Sequence, residues 1–79
     1  MIRRPTKGTT LKLSTRNQLP GTVAEVKHGE VMSLVKVRLN GGDTVTAAIT
    51  REAAEELGLA EGSAVSVLVK ATEVMLAVD

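Results

Sequence analysis

Hydrogen-bond donors dominate the two stretches of this chain whose residue types could do chemistry. The first is Ser14-Thr15-Arg16-Asn17-Gln18, followed by Leu19 and a Pro20-Gly21 pair that signals a turn. The second is Lys70-Ala71-Thr72, near the other end. Neither has a nucleophile, a general base or a metal ligand set beside it. Donors and cations without an acid or base suit holding a small anion rather than transforming a substrate. If the clusters converge, Arg16 and Lys70 offset the charge of a dianion, while Ser14, Asn17 and Thr72 add neutral donors. Backbone amides at Arg16, Asn17 and Ala71 could complete such a shell. A local reading competes: Ser14 and Asn17 satisfy turn backbone, and Lys70 is a solvated cation at a strand end.

Catalysis finds little support. An enzyme needs a proton-transfer group or an activated nucleophile placed against substrate. The single histidine, His28, precedes Gly29 in an expected turn, where a surface role is the ordinary one. Glu52, Glu55 and Glu56 share an expected helix and read as its solvated face, while Glu61 and Asp79 belong to a turn and a terminus. No pair is marked as acid and base.

The elements that position these residues must come from a small chain. Its 79 residues allow one domain, with no cysteine for disulfides and no Phe, Trp or Tyr. The 43% hydrophobic content is largely Val, Leu and Ala, and so small an aliphatic domain without staples commonly gains stability by association. A homo-oligomer is expected. The formal net charge of +1 gives no polyanion-binding signature. No apolar run approaches the roughly 20 residues of a membrane helix, and no secretory pattern opens the chain. The expectation is a soluble cytoplasmic protein.

Residues 1–10 are polar and basic without periodicity and read as a disordered tail, leaving 11–79 as a single domain. Leu11 to Thr15 could form a short strand. Gly21 to Lys27 alternates, and His28-Gly29-Glu30 breaks it. From Val31 to Leu39 a period of two places Val31, Ser33, Val35, Val37 and Leu39 on one face. Met32, Leu34, Lys36 and Arg38 fall on the other, apolar at one end and charged at the other. Asn40-Gly41-Gly42-Asp43 predicts a hairpin turn into a strand over 44–49. Thr50 can cap a helix from Arg51 to about Leu57, ended by Gly58, with Leu57 and Leu59 pinning it to the sheet. Ser63 to Lys70 and Val74 to Val78 read as the last strands. The fold class is all-β with one short helix, a small OB-like β-barrel.

Four blocks carry a resemblance to a known family. They are Leu13–Gly21 (LSTRNQLPG), Val26–Met32 (VKHGEVM), Ile49–Leu59 (ITREAAEELGL) and Val69–Leu76 (VKATEVML). In this order they resemble the Mop, or molbindin, family of TOBE-like molybdate-binding domains. The resemblance implies an OB-like barrel assembled as a hexamer, a trimer of dimers. It implies molybdate or tungstate bound at subunit interfaces by hydrogen bonds, without direct metal–protein bonds and without an organic cofactor. Carried onto this sequence, one site class takes Ser14, Arg16 and Asn17 from one subunit and Lys70, Ala71 and Thr72 from a neighbour. A second, near the threefold axis, takes Lys27, His28 and Gly29. Thr15 departs from the small alanine-like residue common at that position.

The expected function is therefore a non-enzymatic oxyanion-binding protein for storage, buffering or molybdenum homeostasis. The chain has neither a helix-turn-helix nor a P-loop, which favours a free-standing protein over a regulator or transporter subunit. The main alternative is a non-catalytic oligomeric interaction module. A nucleic-acid-binding OB domain comes third, because base stacking in such domains uses aromatic platforms that this chain lacks.

Overall fold

A computed structural model describes residues 14–79. Its elements are β1 (Asn17–His28), β2 (Met32–Leu39), β3 (Thr44–Thr50), α1 (Arg51–Glu56) and β4 (Ala64–Val69), then a 3-10 turn over Ala71–Glu73. The strands form one antiparallel sheet in the order β3-β2-β1-β4. It is a curled half-barrel, mostly sheet with one short helix.

The period of two over β2 translates directly into packing. Ser33, Val35 and Val37 are buried, Leu39 partly so, and the alternate residues are exposed. Val23 from β1 joins Val35 and Val37 at the centre, and Val26, Leu39, Ile49, Leu59, Val65 and Val67 pack around them. The β-branched Val and Ile side chains that make up most of this set suit a pleated, half-buried surface. An irregularity in pairing between Val23 and Glu25 resets which β1 residues face inward, so that Val26 continues the inner row.

Several expected boundaries move. The tail over residues 1–10 and residues 11–13 of the expected first strand lie outside the described residues. Ser14 and Thr15 are not in a strand; β1 starts at Asn17 and runs through Pro20-Gly21, which is therefore not a turn. Two features make this workable. Val23 donates to the Ser63 carbonyl on the β4 side, so alternation turns the nitrogen of Pro20 the other way, beyond the last β1–β2 pair at Gly21 and Leu39. No ladder bond is lost to the missing N–H. Gly21 in turn is buried where a Cβ would lie 2.7 Å from the Arg38 carbonyl oxygen and 2.8 Å from Val37 Cγ1.

Thr50 caps α1 as expected, its Oγ1 accepting from the Ala53 amide at 3.0 Å. Leu57 does not pin the helix; it is 69% exposed. The helix is only six residues long, its inward side is the buried Ala54, and Gly58 at φ +65° turns the chain so that Leu59 reaches the core. Residues Val74–Val78 form no strand. Strands exist by pairing, and this segment has no partner among the described residues; Met75, Leu76 and Val78 are 90–97% exposed.

Candidate functional site

Antiparallel pairing of β1 with β4 decides what lies beside what. Asn17, the first residue of β1, is opposite Val69, the last of β4. The residues just before Asn17 and just after Val69 must then emerge side by side. Ser14, Thr15 and Arg16 accordingly share one open depression of about 430 Å³ with Leu68, Lys70, Ala71 and Thr72. Asn17 and Val69 are 52 positions apart in sequence, and the intervening chain folds back to bring the two donor clusters into contact with one space.

The junction is held by local bonds. Asn17 Nδ2 donates to the Val69 carbonyl at 3.1 Å, tying the strand ends together. Gln18 Nε2 donates to the Thr15 carbonyl at 2.8 Å, fixing the turn that carries Arg16. Beyond β4, Glu73 and Val74 donate back to the carbonyls of Lys70 and Ala71, closing the 3-10 turn. The amides of Ala71 and Thr72 donate to no backbone carbonyl among the described residues, as expected of the first positions of a helical turn.

Charge in the depression is one-sided. Arg16 and Lys70 are exposed, and neither forms an ion pair among the described residues, whose pairs are Lys36–Glu25 at 3.8 Å and Arg51–Glu55 at 2.9 Å. No carboxylate lines the space. Two cations, hydroxyls from Ser14, Thr15 and Thr72, and uncommitted amides make an environment for an acceptor-only anion. Of the residues expected here, Ser14, Arg16, Lys70, Ala71 and Thr72 line the depression. Asn17 instead stands behind it as the clasp between strands. The sequence reading missed Leu68, which supplies the apolar wall; its place opposite the inward Val65, Val67 and Val69 was available from the period of two.

Lys27, His28 and Gly29 lie at the opposite end of β1, and among the described residues no such cluster of free donors forms around them. The Gly29 amide is committed to the Met32 carbonyl at 2.7 Å. The Gly29 carbonyl accepts from Arg51 Nη1 at 3.3 Å, and the Arg51 amide donates to the Val31 carbonyl at 2.7 Å, fastening the β1–β2 turn to the start of α1. His28 Nδ1 is 2.7 Å from Ser33 Oγ, its cross-strand partner. Among the described residues no three His, Asp or Glu side chains gather as metal ligands, and no helix is long and apolar enough to cross a membrane.

The family model described as the TOBE domain matches residues 13–76. Molybdenum-pterin-binding protein 3 of Clostridium pasteurianum is 41% identical over 66 residues, which cover 84% of this chain and 97% of that protein. The solved structure of MopII from Clostridium pasteurianum superposes with a TM-score of 0.81 at 39% identity, over 85% of this chain and 100% of the other. The cytoplasmic molybdate-binding protein ModG, solved with molybdate bound, matches with a TM-score of 0.74 at 41% identity. That match covers 84% of this chain but 47% of ModG.

Proposed function

This chain belongs to the TOBE domain family, and from that premise we propose that it binds molybdate or tungstate, without catalysis, for storage, buffering or molybdenum homeostasis. One observation carries the reading: the β1–β4 pairing sets Arg16 and Lys70, with the hydroxyls of Ser14, Thr15 and Thr72, around one space free of carboxylates. That a similar protein of the same fold is a molybdate-binding protein solved with the anion in place supports the choice of ligand. Its description as cytoplasmic supports the same compartment here.

The donors act by number and by type. A fully deprotonated tetrahedral dianion can accept from every one of them. Protonated phosphate brings an O–H, which needs an acceptor that the depression's side chains supply poorly. Sulfate presents the same charge as molybdate, so discrimination between them rests on the size of the closed cavity.

Closure comes from a second copy. Val23, Val35, Val37 and Ala54 are the buried apolar residues among those described, a small core for the chain, whereas Leu19, Leu68, Val74, Met75, Leu76 and Val78 are exposed. Leu68 lies in the wall of the depression, and the apolar C-terminal segment follows directly from Lys70–Thr72. Association there buries this surface and lets the Ser14–Asn17 cluster of one subunit face the Lys70–Thr72 cluster of a neighbour. A hexamer built as a trimer of dimers is the assembly proposed. Anion bound at such interfaces stabilises the oligomer by mass action.

Native mass spectrometry with molybdate, and with sulfate as control, tests this reading. A hexamer taking up molybdate in discrete steps while ignoring sulfate is the expected result. A monomer without uptake would overturn it.

A further inference from the structure

The β2–β3 turn, Asn40-Gly41-Gly42-Asp43, plays no part in anion binding, yet its first two residues form a chemically reactive pair. Asparagine is among the labile side chains, and a glycine after it leaves the next amide nitrogen unshielded. The fold leaves that nitrogen idle as well. The Leu39 amide donates to the Asp43 carbonyl at 2.7 Å, the Asn40 amide to the Pro20 carbonyl at 3.1 Å, and the Gly42 amide to the Leu39 carbonyl at 2.8 Å. Among the described residues the Gly41 amide donates to nothing, and the Asn40 carboxamide makes no hydrogen bond. Asn40 is exposed, and a Cβ at Gly41 or Gly42 would meet no heavy atom within 4 Å, so the pair has open space around it. The chain's other asparagine is the contrast. Asn17 precedes Gln18, pairs with Val69 of β4, and gives its Nδ2 to the Val69 carbonyl at 3.1 Å.

We propose that Asn40-Gly41 is a self-modification site, at which the folded chain deamidates through a succinimide. The Gly41 nitrogen gives up its proton and attacks Cγ of Asn40. A C–N bond forms, closing a five-membered ring, and the carboxamide nitrogen leaves as ammonia. Water then opens the ring at either carbonyl. One opening leaves an aspartate at position 40; the other leaves an isoaspartate, whose main chain runs through the former side-chain carbon. Water is the only co-reactant, and nothing is oxidised or reduced. The new carboxylate cancels the formal net charge of +1, and a protein without net charge associates more readily. Isoaspartate also lengthens the main chain inside a turn that is closed from Leu39 to Asp43 and tied to β1 at Pro20. The residues around the Arg16–Lys70 depression lie outside this turn, so the molybdate site and this modification stand or fall separately.

The test incubates the full, untagged chain at pH 8 and at pH 6, sampled over several weeks. Anion-exchange chromatography separates the product by its added negative charge. Peptide mapping with electron-transfer fragmentation locates the change and tells aspartate from isoaspartate. The expected result is an acidic species that accumulates faster at pH 8, because attack needs the deprotonated Gly41 nitrogen. It should carry isoaspartate at position 40 and leave Asn17 intact. Asn40→Gln should abolish the species, since a glutamine would have to close a larger ring. Gly41→Ala, which the open turn accommodates, should slow its formation severalfold by shielding the attacking nitrogen. A folded chain that gains no acidic species, modification at Asn17 in place of position 40, or a Gly41→Ala chain that ages at the wild-type rate would each overturn the proposal.

Discussion

The two ends of β1 spend their polar groups in opposite ways. At the Asn17 end, Arg16 and Lys70 are exposed cations without ion pairs among the described residues, around a space with no carboxylate. At the His28 end most polar contacts are made within the fold: Gly29 N–H on Met32, Arg51 on Gly29 and Glu55, and His28 Nδ1 paired with Ser33 Oγ, with Lys27 exposed and outside any ion pair among the described residues. The same residue types therefore mean different things. Donors left idle at a strand junction mark a binding surface, and donors consumed across a turn mark structure.

The largest effect should come from emptying the idle end of charge. In Arg16→Ala/Lys70→Ala, two charge-assisted contacts of about 1.5–3 kcal/mol each are removed, so affinity for molybdate should fall at least about a hundredfold. Isothermal titration against the wild type measures this. Thermal stability should barely move, because neither cation bridges to the rest of the described structure. A double variant that binds normally but melts early would reverse the comparison between the ends.

Next comes the residue that joins the ends. Gly21 lies mid-strand between β2 and β4, and a Cβ there would press on the Arg38 carbonyl of β2 and on the buried Val37 side chain. Gly21→Ala should destabilise by about 1–3 kcal/mol in a denaturant melt. It should also weaken anion binding, since β1–β4 register sets the spacing of Arg16 and Lys70. Loss of stability with unchanged affinity would show that the depression does not depend on that register.

Much of this was legible from residues alone, and the failures share a cause. Local pattern found β2, the Asn40–Asp43 turn, the Thr50 cap and the helix, because alternation and capping are properties of neighbours in sequence. The four blocks of family resemblance identified the fold family. Pro20-Gly21 misled because turn chemistry is a statement about average environments, whereas here a glycine is required by close packing and a proline is tolerated at the end of a ladder. Val74–Val78 has strand composition but no partner among the described residues, and composition cannot supply one. Likewise the spacing of Ser33 and His28 is five residues, but their bond follows from β1–β2 register, which no local pattern specifies.

At the consumed end, Thr50→Ala removes the bond to the Ala53 amide and should cost about 1 kcal/mol of stability. Its consequence should stay local. Arg51 begins the helix that Thr50 caps and fastens the turn after His28, so amide exchange at Gly29 and Met32 should quicken. Exchange and anion affinity at the Asn17 end should be unaffected. Coupling of this cap to the Lys70 depression would mean the two ends are not separable.

The smallest effect tests how the turn is fastened. Arg51 Nε donates to Glu55 Oε2 at 2.9 Å, one helical turn away, and both side chains are about half exposed. An exposed pair of this kind contributes only about 0.3–0.5 kcal/mol, because water competes for both charges and holding two long side chains in place has an entropy cost. Glu55→Ala should therefore lower stability by no more than that, and less at high salt. The backbone bond from the Arg51 amide to the Val31 carbonyl does not involve Glu55, so the turn should keep its shape and His28 its Ser33 contact. If Glu55→Ala instead disturbed the His28 ring signals, the turn would owe its position to the side-chain pair rather than to backbone hydrogen bonds, and the structural role assigned to this end would rest on the wrong contacts.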